Sequence, residues 1–112
     1  MSTAGGYPRL AEPAVDVFRA IADPTRRALL DLLRTNDRSV NELAEPFQMT
    51  QPAISQHLRV LRHAGLVRPR QVGRQRVYRL NAKPLRDVRD WTARYDRFWQ
   101  TKPKAPGGAI DR

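Results

Sequence analysis

Ser39-Val-Asn-Glu-Leu-Ala-Glu-Pro-Phe-Gln-Met-Thr50-Gln-Pro-Ala-Ile-Ser-Gln-His-Leu-Arg-Val-Leu-Arg-His-Ala-Gly65 is the stretch on which the fold turns. Ser39 followed three residues later by Glu42 is a capping box, in which each side chain satisfies a backbone N–H that the first helical turn leaves unpaired. It opens a short helix with Val40, Leu43, Ala44 and Phe47 inward. Pro46 cannot donate to the carbonyl of Glu42, so that helix should end or kink there. Thr50 can cap a second helix, and Pro52 is harmless in a first turn whose N–H groups lack internal partners. Ile54, Leu58 and Leu61 recur at helical spacing as its buried stripe, and Gly65 is a natural C-terminal stop. Residues 39–64 therefore predict helix, a three- or four-residue turn, and helix.

Toward the C-terminus the period drops to two. Residues 67–71 and 75–80 alternate, with Gly73 between them, which predicts a β-hairpin with a Gly-Arg tip and with Tyr78 and Leu80 in the core. Asn81 to Pro84 reads as a turn. A last helix is expected from about Leu85, carrying Val88, Trp91, Tyr95, Phe98 and Trp99 at helical spacing. Toward the N-terminus, Asp23-Pro24 reads as a cap with proline at the first helical position. The helix it opens, 25–34, faces inward through Ala28, Leu29, Leu32 and Leu33, and Asn36-Asp37 breaks it. Val15, Phe18, Ile21 and Ala22 suggest a short amphipathic helix before it. The fold class is mainly α with a small β-hairpin, a winged helix-turn-helix in the order α-α-α-α-β-β-α. Residues 1–12 are expected to form a flexible arm, 13–100 one folded domain, and 101–112 a disordered tail rich in Pro and Gly.

A chain of 112 residues suits one domain. Its 21 Lys and Arg against 11 Asp and Glu give a net charge of +10, and this surplus is not spread evenly. Residues 46–86 hold Arg59, Arg62, Arg68, Arg70, Arg74, Arg76, Arg79, Lys83 and Arg86 and no carboxylate. Such a segment points to a polyanionic partner, and Arg suits phosphate and guanine edges through its planar fork. The absence of Cys excludes disulfides, thiolate metal sites and Cys nucleophiles. No apolar run approaches the roughly 18 residues of a membrane span, and the N-terminus lacks a signal-peptide pattern, so a cytoplasmic protein with no membrane partner is expected.

With Ile54 set inward, 100° per residue turns Pro52, Gln56, Arg59 and His63 outward, with Ser55 and Arg62 beside them. Gln can bond adenine, Ser can serve phosphate or base, and Arg prefers guanine or phosphate. Thr50 and Gln51 stand where free amides of a helix N-terminus meet phosphate. At the hairpin tip, Arg74, Gln75 and Arg76 can reach a backbone or a narrow minor groove.

The stretch Phe18-Arg-Ala-Ile-Ala-Asp-Pro-Thr-Arg-Arg27, the run from Gln51 to Val67 and Gly73-Arg-Gln-Arg-Val-Tyr-Arg-Leu80 together resemble the ArsR family of bacterial transcriptional regulators over about residues 14–100. The resemblance implies a homodimeric winged-helix repressor that binds a double-stranded DNA operator. It implies a reading helix, 50–64, in the major groove and a wing, 67–80, on the flanking backbone or minor groove. Carried onto this chain, Gln51, Ser55, Gln56, His57 and Arg59 become contacts, joined by Arg74 and Arg76. His57 points sideways on the wheel, which leaves a phosphate bond, a cap or base reading open. The first and last helices become the dimer interface, with Val15, Phe18, Val88, Trp91, Tyr95, Phe98 and Trp99. The aromatic load of the last helix supports this independently, although Trp91 and Tyr95 could instead cover the first helix of their own chain.

The chain departs from the family where many members sense metals. A Cys-Val-Cys segment of the third helix corresponds here to Ser39-Val40-Asn41, and residues 85–100 offer Asp87, Asp90 and Asp96 without a His. His57 and His63 lie about 240° apart around a helix and cannot share an ion. No metal and no other cofactor is expected, and the chain is closer to the subgroup without thiolates, often read as autorepressors. The sequence names no inducer. A different class of function, a winged-helix module that binds RNA or a protein, meets the lack of exposed aromatics on the binding face. An enzyme is not expected, because no catalytic grouping or phosphate loop is present, and Asp87 and Asp90 beside Arg86, Arg89 and Arg94 read as helix ion pairs.

Overall fold

A computed structural model of the chain describes residues 16–99. The expected arm, the tail and Val15 lie outside the described residues. The elements are α1 (Val17–Ala20), α2 (Pro24–Leu33), β1 (Arg38–Ser39), α3 (Val40–Ala44), α4 (Gln51–His63), β2 (Val67–Val72), β3 (Gln75–Leu80), α5 (Leu85–Ala93) and α6 (Asp96–Trp99). The three strands form one antiparallel sheet in the order β1-β3-β2.

Three side-chain caps start the central helices. The carboxylate of Asp23 accepts from the Arg26 amide at 3.0 Å, with Pro24 in the first turn of α2. Ser39 and Glu42 complete their capping box, with bonds of 3.2 and 2.8 Å. The Thr50 hydroxyl accepts from the Ala53 amide at 3.2 Å. Each such cap contributes about 1 kcal/mol. Gly65, at φ +79°, ends α4. Its amide donates to the carbonyl of Arg62 and that of Leu66 to the carbonyl of Leu61, both at 2.9 Å. These are the paired bonds of a Schellman motif, and Leu61 and Leu66 are both fully buried, giving it its hydrophobic contact. Asn81 then fastens the far end of the hairpin to this corner, its amide to Leu66 O at 2.8 Å and its side chain to Gly65 O at 2.7 Å.

The core is assembled from Leu29, Leu30 and Leu33 of α2, Leu43 of α3, Ile54, Leu58 and Leu61 of α4, then Leu66, Val67 and Tyr78. Each large aliphatic side chain fully withdrawn from water contributes roughly 1.5–3 kcal/mol. Tyr78 is in the core and Leu80 packs against it, as the alternation of the hairpin predicts.

Five details differ from the sequence expectation. The order contains an additional strand, β1, whose Arg38 and Ser39 pair with Tyr78 and Val77 of β3. The turn between α3 and α4 occupies residues 45–50 rather than three or four, because α3 stops ahead of Pro46 and α4 waits for the Thr50 cap. The inward side chains of α1 are Val17 and Ala20, whereas Phe18 is exposed, Ala22 is exposed and Ile21 only partly buried. On α2, Leu30 joins the core while Leu32 is only partly buried, since the helix packs against β3 as well as α4. Finally, the last helix is two pieces, with a turn at Arg94 and Tyr95 between α5 and α6.

Candidate nucleic-acid interface

Burial of Ile54, Leu58 and Leu61 fixes the rotation of α4 and leaves Gln51, Pro52, Ser55, Gln56, Arg59, Arg62 and His63 exposed on the other side. Thr50, just before the helix, is exposed; its hydroxyl oxygen accepts the cap bond, and its O–H can still donate outward. Gln51 donates through its side-chain amide to the side-chain oxygen of Asn41 on α3. Asn41 therefore joins the two helices of the motif. Its partner lies ten residues along the chain, beyond the span of the capping and turn patterns that the sequence displays.

His57 takes a different position from its neighbours. It is half-buried, with Nδ1 3.2 Å from a terminal nitrogen of Arg26 and 3.9 Å from an Asp23 carboxylate oxygen. Burial pushes the Asp23 carboxyl up, but the Arg26 amide bond, His57 whenever its ring is protonated, and the Arg26 charge together outweigh it. The result is a pKa held below the usual carboxylate value.

In the hairpin, Val72 pairs with Gln75, so Gly73 and Arg74 alone form the tip. Gly73 has φ +61°, as two-residue hairpin loops require at their first position, and an L side chain there would be strained. Arg74, Gln75 and Arg76 are exposed. The guanidinium of Arg76 lies 5.9 Å from the Tyr78 ring centroid, within cation–π range. A polar cleft of about 220 Å³ lies between the end of α4 and the sheet, lined by Arg62, Pro69, Arg70, Gln71 and Arg76. A second, of about 170 Å³, is lined by Ser39, Val40, Asn41, Arg74, Gln75 and Arg76, and joins the wing to α3. Wing and helix pair thus form one basic surface.

That surface is less uniformly positive than residues 46–86 suggest. Asp37, just ahead of β1, reaches the guanidinium groups of Arg70 at 3.5 Å and Arg79 at 3.6 Å. The carboxylate comes from outside the acid-free segment, delivered by a strand too short to be read from a pattern.

A second surface is apolar. Phe18 of α1 meets Trp91 of α5 edge-on at 5.8 Å, Trp91 meets Tyr95 at 5.4 Å, and Tyr95 meets Phe98 of α6 at 6.2 Å. Trp91 thus covers its own α1 yet stays 46% exposed, while Phe98 is 68% and Trp99 65% exposed. Val88, placed with them by the sequence, packs partly against the core.

The model of the bacterial regulatory protein, arsR family, matches residues 23–68, the segment from the α2 cap through the start of the wing. The transcriptional repressor SdpR of Bacillus subtilis is 41% identical over 76 residues, covering 68% of this chain and 84% of SdpR. The chain belongs to the ArsR family. A second relative, the HTH-type transcriptional regulator Rv2034 of Mycobacterium tuberculosis, is 43% identical over 82 residues, covering 73% of this chain and 74% of that one. Among solved structures, an ArsR family transcriptional regulator superposes with a TM-score of 0.66 at 36% identity, covering 76% of this chain and 93% of that protein. The protein is accordingly a DNA-binding transcriptional regulator with a winged-helix fold, a class without catalytic activity.

Where ArsR proteins were expected to carry Cys-Val-Cys, the Ser39 hydroxyl is occupied by its cap and Asn41 by Gln51. Among the described residues, no three His, Cys, Asp or Glu side chains come together as metal ligands. No described helix is long and apolar enough to cross a membrane.

Proposed function

We propose that this ArsR protein is a homodimeric repressor whose residues 13–100 form the working domain, with α4 in the major groove of each half-site. The observation that carries this reading is the exposed face of α4, free of carboxylates and continuous through Arg62 with the guanidinium groups of the wing. Gln51, Ser55, Gln56 and Arg59 face the bases. Thr50, His57 and Arg62 serve the phosphates, and Arg74, Gln75 and Arg76 hold the flanking backbone or minor groove. The row from Phe18 to Trp99, joined by Val15 and Val88, is the dimer face. Two-fold symmetry then sets half-sites about one helical turn, roughly 34–36 Å, apart. SdpR is named a transcriptional repressor, which supports repression as the outcome. The regulator works in the cytoplasm, on the nucleoid when bound.

The test is selection of duplexes from a random library by the wild-type chain, followed by protection mapping. Arg59→Ala should lose about 1–3 kcal/mol of discrimination at one base pair per half-site, the worth of a bidentate contact. Arg74→Ala should weaken selected and random duplexes alike. Absence of any enriched sequence at moderate salt, or equal losses for both variants on both duplexes, refutes base reading by α4. Duplex RNA and single strands in the same assay test the alternative partner classes.

A further inference from the structure

The stretch Asp23-Pro-Thr-Arg26-Arg27 does more than open α2. Because α1 is a single turn, its last carbonyls lack the amides that a continuing helix would supply, although that of Arg19 accepts from the Ala22 amide at 3.2 Å, and two arginines add donors. Arg26 donates through Nε to the carbonyl of Ala20 at 2.7 Å and through one terminal nitrogen to that of Arg19 at 3.2 Å. Arg27 donates to the carbonyl of Ile21 at 2.8 Å. The other terminal nitrogen of Arg26 faces Nδ1 of His57, 31 residues away on α4, at 3.2 Å.

This contact decides where the histidine keeps its proton. A guanidinium has donors only and does not deprotonate, so Nδ1 must be the acceptor. A neutral imidazole that accepts at Nδ1 carries its hydrogen on Nε2. A doubly protonated ring would set N–H against N–H, and the Asp23 carboxylate, at 3.9 Å, is too far to accept that second hydrogen bond. Nε2 has no hydrogen-bond partner among the described residues, and the side chain keeps 20% exposure.

We propose that Arg26 is a positioning residue for DNA binding: it fixes His57 as the Nε2–H tautomer and orients the ring so that α4 presents an N–H donor to the DNA backbone. The donor is useful only if α4 docks as proposed above, and on that reading this inference rests. Since the same guanidinium grips the last turn of α1, the element carrying Phe18, the donor's orientation is tied to the dimer face.

Nitrogen-15 spectra of the whole free chain at neutral pH test the tautomer without DNA. His57 should show a protonated Nε2 and an unprotonated Nδ1. A protonated Nδ1, or a ring that exchanges between the two tautomers, overturns the proposal. Binding is then measured on the selected duplex and on a random duplex of equal length. His57→Asn, whose amide reaches only the Nδ1 position, should lose about tenfold or more on both, the worth of a hydrogen bond to a charged group. His57→Gln, which returns an N–H near the Nε2 position, should recover most of it. Arg26→Gln should weaken binding alone and add little to His57→Asn. Full additivity of the two losses overturns the proposal, because Arg26 would then act through the fold and not through His57. If the wild-type chain binds no duplex, the docking reading and the use of this donor fail together, and the free-chain spectra still decide whether Arg26 holds the ring.

Discussion

Replacing Arg74 should change how steeply DNA affinity depends on salt, and by an amount that counts protomers. Arg62, Arg74 and Arg76 are exposed, and no carboxylate pairs with them among the described residues. Arg70 and Arg79 are partly neutralised by Asp37. Taking three phosphate contacts per protomer and two protomers gives roughly six released counterions, a slope of log affinity against log salt of about −5.4. Between 50 and 200 mM salt the complex should weaken about 2,000-fold. Arg74→Ala removes one contact from each protomer, so the slope should shrink to about −3.6. Asp37→Asn releases Arg70 into the cleft it shares with Arg62 and Arg76, and should steepen the slope by up to about 1.8. The assay is fluorescence anisotropy of a labelled duplex titrated at five or more salt concentrations. An unchanged slope for Arg74→Ala refutes the wing as a phosphate contact. A change near 0.9 means that one wing per complex touches DNA, and refutes the two-half-site dimer.

The aromatic face predicts that Phe98→Ser weakens self-association about 10²–10⁴-fold by sedimentation, since a two-fold interface loses two buried rings at once. The monomer fold should hardly change, because the ring is 68% exposed, and an unaffected dimer would remove Phe98 from the interface. Gly65→Ala should cost about 1–2 kcal/mol, a fall in Tm of several degrees, because φ is +79°. Its Cβ would meet Pro84 at an ordinary 3.6 Å, so backbone strain is the whole cost, and an Ala variant as stable as wild type contradicts that account. The lowered pKa of Asp23 contributes stability above the unfolded carboxylate value of about 3.9. That contribution is lost as pH falls through the folded value. Asp23→Asn keeps a capping side chain but not the charge, so its acid unfolding should be less steep in this range; an identical acid limb would count against the charge at Asp23.

Much of the fold was legible because its signals are local. The Ser39–Glu42 box, the Thr50 cap and the Gly65 stop each involve residues within a few positions of one another, and the structure contains all three. Hairpin alternation is legible because six paired residues per strand establish a period. Four-residue α1 is too short to establish a period, so its buried side chains are Val17 and Ala20 where the spacing suggests Phe18, Ile21 and Ala22. Phe18 is apolar, but its ring lies against Trp91 at the margin of the fold, and only the packing of α5 on α1 shows it.

The sequence alone determined where the chain caps, turns and alternates, and that one segment of it carries arginine without acid. Those properties depend on neighbours along the chain, so they survive without knowledge of the fold. Tertiary structure decided how that charge is used. It brought Asp37 to Arg70 and Arg79 through a two-residue strand, joined Asn41 to Gln51, and set Arg26 of α2 against His57 of α4. These contacts span ten to more than thirty residues and join elements that the core around Leu29, Ile54 and Leu58 packs together. No local periodicity encodes a distance that the packing of several helices creates.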